Sequence, residues 1–318
     1  MEIDPRSLVK VFRTLEALHL SGPFLLQDPT AVSLPKLEVL RLNFVQYGSD
    51  ESVRKLVSGS PSLHTLWIHR YHYDGMAVCT ISSPVLKYLD YSHGMCYGNN
   101  FHDVSHFKLV IDAPALGYLT LVNFSCDEIS LMQKLTSLRE VRLQTSPFMP
   151  CLEGEVAVGL VKAFGSRAEF MKLSYETMEA LFSCTTTTKL SATFERLTVL
   201  DVQVDCFGLG DLMELIDCCP VLEVLQVQML ECVDPNIWRN PSSVPKCLLS
   251  SLKQVVYLGF EYHMDETSML GFTVKHALVL ETVDIICKTF LHLSGTITSF
   301  RKMLMSRRVS PTCRIDIS

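Results

Sequence analysis

One hexad of apolar positions, Leu-x-x-Leu-x-Leu, recurs along the chain. It reads LEALHL from Leu15, LEVLRL from Leu37, LHTLWI from Leu63, LKYLDY from Leu86, LGYLTL from Leu116, LREVRL from Leu138, LTVLDV from Leu197 and LEVLQV from Leu222. LKQVVY from Leu252 and LETVDI from Leu280 are weaker copies, and FMKLSY from Phe170 fills the wide gap after Leu138. Spacings between copies run from 22 to 32 residues. The alternation at the end of each hexad predicts a short strand. Its fourth and sixth residues point inward, and the residue between them points to the opposite face. No such strand buries its leucines alone, so the repeats must stack into one continuous core. Proline stands two residues ahead of several copies, at Pro35, Pro61, Pro84, Pro114 and Pro220, where its missing N–H suits the start of a strand.

Helical periodicity fills some of the intervals. Residues 50–57 place Val53, Leu56 and Val57 on one face, with Asp50 and Glu51 in the first turn and Gly59 past the end. The stretch from Asp211 to Cys218 repeats the arrangement with Leu212, Leu215 and Ile216. Strand, helix, strand at a period of about 26 residues predicts an α/β solenoid with a parallel sheet on its concave side.

The hexads and their intervals resemble the leucine-rich-repeat family over roughly residues 8 to 290. That family continues its motif with a buried Asn or Cys, whereas Pro23, Val45, Tyr71, Phe124, Ser146 and Asp205 stand here. The resemblance therefore implies an irregular solenoid with uneven curvature, with insertions at Tyr91–Lys108 and Thr185–Lys189 bulging as loops. From Trp238 the text changes. Trp238, Pro241, Val244-Pro245, Cys247-Leu248, Leu252-Lys253, Gly259-Phe260, Glu266, Ala277, Leu280-Glu281, Ser310 and Cys313 resemble, in order, the FBD module at the C-terminus of plant F-box proteins. This places a repeat solenoid at 1–237 and an FBD-like α+β cap at 238–318. The cap is expected to hold an edge strand, a hairpin-like turn, a helix from about Glu266 to Val279 and two closing strands. Members of that family carry an F-box that docks onto Skp1, followed by repeats that select a protein for ubiquitination. This chain opens inside its first repeat at Ser7-Leu8-Val9, with no F-box helix set read ahead of it. The resemblance implies the recognition half of a ubiquitin-ligase subunit, with Skp1 a partner only if an F-box is supplied elsewhere. The alternative is a free-standing repeat scaffold or competitor that holds the same protein without delivering it to a ligase.

Composition narrows the setting. Apolar residues make up 48% of the 318, charged residues 19%, and the net charge is −6, which supports a large core and argues against a nucleic-acid partner. Basic residues cluster at Arg301-Lys302 and Arg307-Arg308, read as a solvated rim. No secretory signal and no apolar run of membrane-spanning length is present, so a cytoplasmic or nuclear monomer is expected. Its twelve cysteines are then reduced, and the sequon at Asn123 unused.

Catalytic chemistry finds no foothold. There is no phosphate-binding glycine loop, and Gly208-x-Gly210 lacks the third glycine of a dinucleotide site. No C-x-x-C exists, and adjacent Cys218 and Cys219 cannot share a tetrahedral metal. The pair His102 and His106, and the group His64, His69 and His72, lack further ligands. Cys79, Cys96 and Cys184 stand in no nucleophile context. No enzyme activity, metal or cofactor is expected. The expected work is protein binding on the concave row His19, Arg41, Trp67, Asp90, Thr120, Arg142, Ser174, Asp201, Gln226 and Val256, flanked by Tyr88 and Tyr118. Arg41, Trp67, Tyr88, Asp90, Tyr118 and Arg142 form its hot spot.

Overall fold

The computed structural model describes residues 2–3, 13–27, 32–71, 74–93, 108–124, 128–132, 135–145, 150–183, 190, 192–230, 236–288 and 294–318. The chain forms two compact units, Met1–Val156 and Ala157–Ser318.

The first unit runs β1 (Glu2–Ile3), β2 (Ala17–Ser21), β3 (Leu25–Leu26), β4 (Val39–Asn43), β5 (Gln46–Tyr47), α1 (Glu51–Ser58), β6 (Thr65–Arg70), β7 (Val78–Ser82), β8 (Tyr88–His93), β9 (Lys108–Asp112), β10 (Tyr118–Phe124), β11 (Glu128–Leu131) and β12 (Glu140–Thr145). The hexad strands β2, β4, β6, β8, β10 and β12 pair in that order, all parallel. Behind them lie two smaller parallel sheets, β1-β3-β5 and β7-β9-β11.

Those small sheets correct one expectation. Strands occupy several intervals where a strand-helix period leads one to expect helices. VCTIS and KLVID bury alternate residues, Cys79 with Ile81 and Leu109 with Ile111. Such short, period-two segments rich in β-branched residues suit a second sheet and are too brief for a stable helix. The helix expected over 50–57 does form, as α1, with Val53, Leu56 and Val57 buried.

The second unit contains the part of α2 (Pro150–Gly165) from Ala157 on, β13 (Phe170–Leu173), α3 (Tyr175–Ser183), β14 (Val199–Val204), α4 (Leu209–Asp217), β15 (Val224–Met229), α5 (Lys246–Ser250), β16 (Gln254–Phe260), α6 (Met264–His276), β17 (Thr282–Cys287), α7 (Ser294–Arg307) and β18 (Arg314–Ile317). Its six strands pair in sequence order, all parallel. The segment from Trp238 thus adds strands to the sheet begun by β13–β15. The hairpin-like turn expected there gives way to parallel crossovers through α6 and α7. Helix α7 was not anticipated, because its sequence carries no clear apolar face.

The hexads do what their pattern demands. Leu37, Leu40 and Leu42 are fully buried, as are Leu63, Leu66 and Ile68, and the later copies follow suit. A tight turn precedes several hexad strands: Leu34, Ser60, Ala113, Cys219 and Ser310 accept hydrogen bonds from residues three positions on. Proline occupies the second turn position at Pro35, Pro61, Pro114, Pro220 and Pro311, where its fixed φ is already correct. The next amide then crosses to the previous repeat. Glu38 donates to the carbonyl of Glu16, His64 to Glu38, Lys87 to His64, Gly117 to Lys87 and Arg139 to Gly117, at 2.8–3.0 Å. Thr198, Glu223, Lys253, Glu281 and Arg314 continue the same lock in the second unit, starting from Glu169.

One hexad frame is corrected. The buried set around β13 is Ala168, Met171 and Leu173, two residues earlier than FMKLSY. Ala168 replaces the leading leucine, which hides the true frame. Lys172, paired with Asp201 in register, therefore takes the face position expected of Ser174. Ser174 is buried beyond the strand, its hydroxyl 3.2 Å from Thr177 Oγ1 at the start of α3. A further copy, Ser310-x-x-Cys313-x-Ile315, closes the sheet at β18 with all three residues buried.

Many of the residues that carry the FBD resemblance have structural duties. Gly259 sits at a register shift between β16 and β17 with φ +81°, and a Cβ there would meet the carbonyl oxygen of Met229 at 2.6 Å, so only glycine fits. Glu266 is fully buried and accepts from the amide of His263 (2.9 Å), the amide of Glu261 (3.2 Å) and the hydroxyl of Tyr257 (3.1 Å). Burial drives its pKa up while these donors hold it down. Asp265, also buried, accepts the amides of Ile237 (3.1 Å) and Trp238 (2.8 Å), tying the segment before α5 to the first turn of α6.

Among its described residues the first unit holds one buried charge pair. Arg70 continues the inward row of Leu66 and Ile68, and its guanidinium bonds Asp74, the Tyr91 hydroxyl (3.0 Å) and the carbonyl of Met76 (2.6 Å). Both Arg70 and Asp74 side chains are 1% exposed. Arg70→Ala would leave an uncompensated carboxylate inside the core and should cost about 3–5 kcal/mol in urea unfolding. The double variant Arg70→Met/Asp74→Leu, which removes both charges, should recover part of that loss.

Candidate functional site

Register places all six hot-spot candidates on five neighbouring strands of one sheet face before any side chain is considered. His19, Arg41, Trp67, Asp90, Thr120 and Arg142 stand directly opposite one another across β2, β4, β6, β8, β10 and β12. Tyr88 and Tyr118 are register partners in the next row, and Thr65 and Glu140 flank them in that row. Each of these points away from the leucine core, because the leucines on either side point into it.

The side chains on this face join into a path. The Arg41 guanidinium carbon lies 3.9 Å from the centre of the Trp67 ring. The Trp67 and Tyr88 rings are 5.3 Å apart, and Tyr88 and Tyr118 stack at 6.2 Å. Diagonal neighbours on adjacent strands are within reach of rings of this size, so a cation and three aromatics run across four strands. Arg41, Trp67 and Tyr88 are half-buried, while Tyr118 is 43% exposed. The Nε of Arg41 is buried without a hydrogen-bond partner. Beside the path, Asp90 meets His69 Nε2 at 3.3 Å. Arg142 is held by Glu140 at 2.7 Å, a surface pair of little energetic weight. Phe44 and Tyr71, 40% and 46% exposed with ring centres 4.8 Å apart, add a second aromatic contact that the hexad reading missed because both fall after a strand ends.

The equivalent face of the second unit is different. Lys172 pairs with Asp201 at 2.7 Å, Gln203 with Gln228 at 3.1 Å, Gln254 with Asp284 at 3.2 Å and Arg314 with Asp316 at 2.9 Å. Three of these pairs join neighbouring strands and the fourth lies within β18, while Asp201 keeps Oδ1 without a partner. Gln226 and Val256 stand in the row as expected, and Phe170, in register with Val199 in the flanking row, is half-buried on the same face.

A separate feature was not anticipated. At the end of β14, a cavity of about 400 Å³ is lined by Tyr175, Phe182, Asp205, Phe207 and Asp211. Asp205 accepts the Gly208 amide (2.9 Å) and the Tyr175 hydroxyl (3.4 Å). Burial, with Glu214 and Asp205 close by, raises Asp211 from 3.8 to about 6. Cys79 and Cys247, each pushed up to about 12 by burial, are inert thiols. Cys206 departs from the expectation of wholly reduced cysteines, since it is disulfide-bonded. Among the described residues no group of three or more potential ligands could hold a metal, and no helix is long and apolar enough to cross a membrane. His72, Cys96, His102, His106 and Cys184 lie outside the described residues.

Comparison with known proteins gives matches at both scales. A family model described as FBD matches residues 240–285. An F-box/FBD/LRR-repeat protein of Arabidopsis thaliana is 25% identical over 284 residues, covering 85% of this chain and 61% of the relative. A putative F-box/FBD/LRR-repeat protein of the same plant is 29% identical, covering 89% of this chain and 61% of that protein. A putative FBD-associated F-box protein is 26% identical, covering 99% of this chain and 71% of its own length. The chain thus spans about three fifths of the first of these relatives.

The raised carboxyl has a pH signature. Folding favours protonated Asp211, so its stabilising contribution is fully present below the unfolded value of 3.8 and is lost as pH rises through about 6. Discounted for its partial exposure, the ionised group should cost about 1 kcal/mol at pH 7. Asp211→Asn is expected to raise stability at pH 7 by about that amount and to leave it unchanged near pH 3.5, as read by denaturant unfolding at both pH values.

Proposed function

This chain is a relative of the plant F-box/FBD/LRR-repeat proteins, and on that footing we propose that it is a protein-recognition module of the ubiquitin-ligase type, which grips its target on the open sheet face of its first unit. Trp67 is the anchor, flanked by Arg41 on one side and Tyr88 and Tyr118 on the other, with Asp90 and Arg142 supplying polar contacts in the same row. The observation that carries this reading is the in-register path from Arg41 to Tyr118 on a face whose aromatic groups are only half covered. Trp, Tyr and Arg are the residues that dominate protein interfaces, and a ring held between a guanidinium and a second ring is already fixed in place, so little order is lost on binding. The FBD segment extends the sheet of the second unit, whose largely saturated face suits a supporting role. No catalytic step is assigned to the chain; any transfer of ubiquitin belongs to the assembly that the F-box of such proteins recruits through Skp1.

Affinity capture from plant extract, with wild-type and Trp67→Ala chains side by side, tests the reading. Specific partners retained by the wild type should be lost or weakened by about 2 kcal/mol or more in the variant. The variant's stability should fall by no more than about 2 kcal/mol, the worth of a part-buried cation–aromatic contact. A collapse of the melting temperature would instead make Trp67 part of the core. Binding to Skp1 by a chain joined to an F-box, with the target still bound, would separate a ligase subunit from a free-standing scaffold.

A further inference from the structure

The second unit contains a cavity of about 850 Å³ that has no part in the face described above. Arg239, Lys275, His276 and Arg307 line it, with the hydroxyls of Ser242 and Ser243, and its lining includes no carboxylate. Three permanent cations share this space in a chain whose net charge is −6. Among the described residues no ion pair engages Arg239, Lys275 or Arg307. Arg239 donates to the carbonyl of Trp238 at 2.8 Å, as Arg308 does to that of Cys313, and Arg301 reaches Asp316 at 3.8 Å. The C-terminal basic pairs that read as a solvated rim are thus split, with Arg307 turned to the cavity.

Local structure holds these cations in place. The buried Asp265 carboxylate takes the amides of Ile237 and Trp238, which fixes the strand of chain leading to Arg239. The Trp238 indole packs edge-on against Phe272 at 6.3 Å. Arg307 lies against α6 at Gly271, where a Cβ would stand 2.9 Å from its Nη1. A glycine inside a helix costs about 1 kcal/mol relative to alanine, and here it makes room for a guanidinium. Lys275 and Arg307 end their helices, where a cation offsets the negative end of the helix dipole. That accounts for each of them singly. It does not account for Arg239, which lies on no helix, or for three exposed cations lining one pocket without an acid.

We propose that this cavity binds a small ligand bearing two or more phosphoryl groups. Its volume falls within the range of small-molecule sites. Two guanidinium forks, an ammonium and two hydroxyls supply the donor set that phosphate oxygens accept, and arginine matches their geometry with paired N–H bonds. The reading is independent of the protein-binding face and concerns different residues.

Isothermal titration of the full chain with sodium tripolyphosphate is the test. Saturable binding is expected, weakening as salt is raised. Lys275→Gln/Arg307→Gln should lower the affinity by at least about tenfold, the loss of one charge-assisted contact, and Arg239→Gln alone should lower it as well. Arg196→Gln, which alters an exposed arginine paired to Glu169, should leave it unchanged. Circular dichroism confirms that each variant is folded, and should the double variant fail that check, Arg239→Gln decides. Absence of binding, equal binding by the cavity variants, or equal affinity for citrate would overturn the proposal. So would single-stranded RNA that binds through these residues and is not displaced by tripolyphosphate.

Discussion

The structure depends on a constraint that no single repeat satisfies: a lone parallel strand can neither bury its leucines nor pair its amides. Here both needs are met by the same step. A proline turn ends, the next amide donates to the carbonyl of the preceding repeat, and the strand that follows falls into register with its leucines aligned on those before it. Once one strand is placed, the next has a single register, because a slip of one residue would turn every leucine outward. What lies behind the sheet is then free to vary. Helix α1, the β7-β9-β11 sheet and the crossovers α6 and α7 all cover the same kind of leucine row.

That division explains what was legible in the sequence. The inward rows were readable because leucine repeats at fixed spacing, and the face rows followed by alternation, so Arg41, Trp67, Asp90 and Arg142 fall where the hexads put them. Legibility failed where one residue carried the frame. Ala168 in place of a leading leucine moved the face position from Ser174 to Lys172. The strands β7 and β9 escaped notice because their period of two is short and lies in intervals where a helix was the simpler expectation. Arg70 was overlooked for a different reason: a charge two residues past the last apolar position of a hexad looks like an exposed strand end. Only the fold shows Asp74 returning to meet it.

The two sheet faces show how like backbones come to differ in use. In the second unit, charges and amides on adjacent strands pair with one another, which stabilises the sheet modestly and leaves fewer polar groups for a partner. In the first, rings and a guanidinium occupy the equivalent positions and make contacts that are compatible with further burial. The FBD residues belong to a third category. Gly259, Asp265 and Glu266 are fixed by a bulge, a tether and a helix start, so a module recognised by its sequence is here recognised largely through its folding requirements.

The strict alternation of inward and outward residues has an evolutionary consequence. A substitution at a face position changes what a partner meets without disturbing a leucine, and a substitution in the spine alters stability without rewriting the face. Selection on recognition and selection on folding therefore act on interleaved but separate sets of positions. A relative only 25% identical over 284 residues shows how far such a sequence diverges.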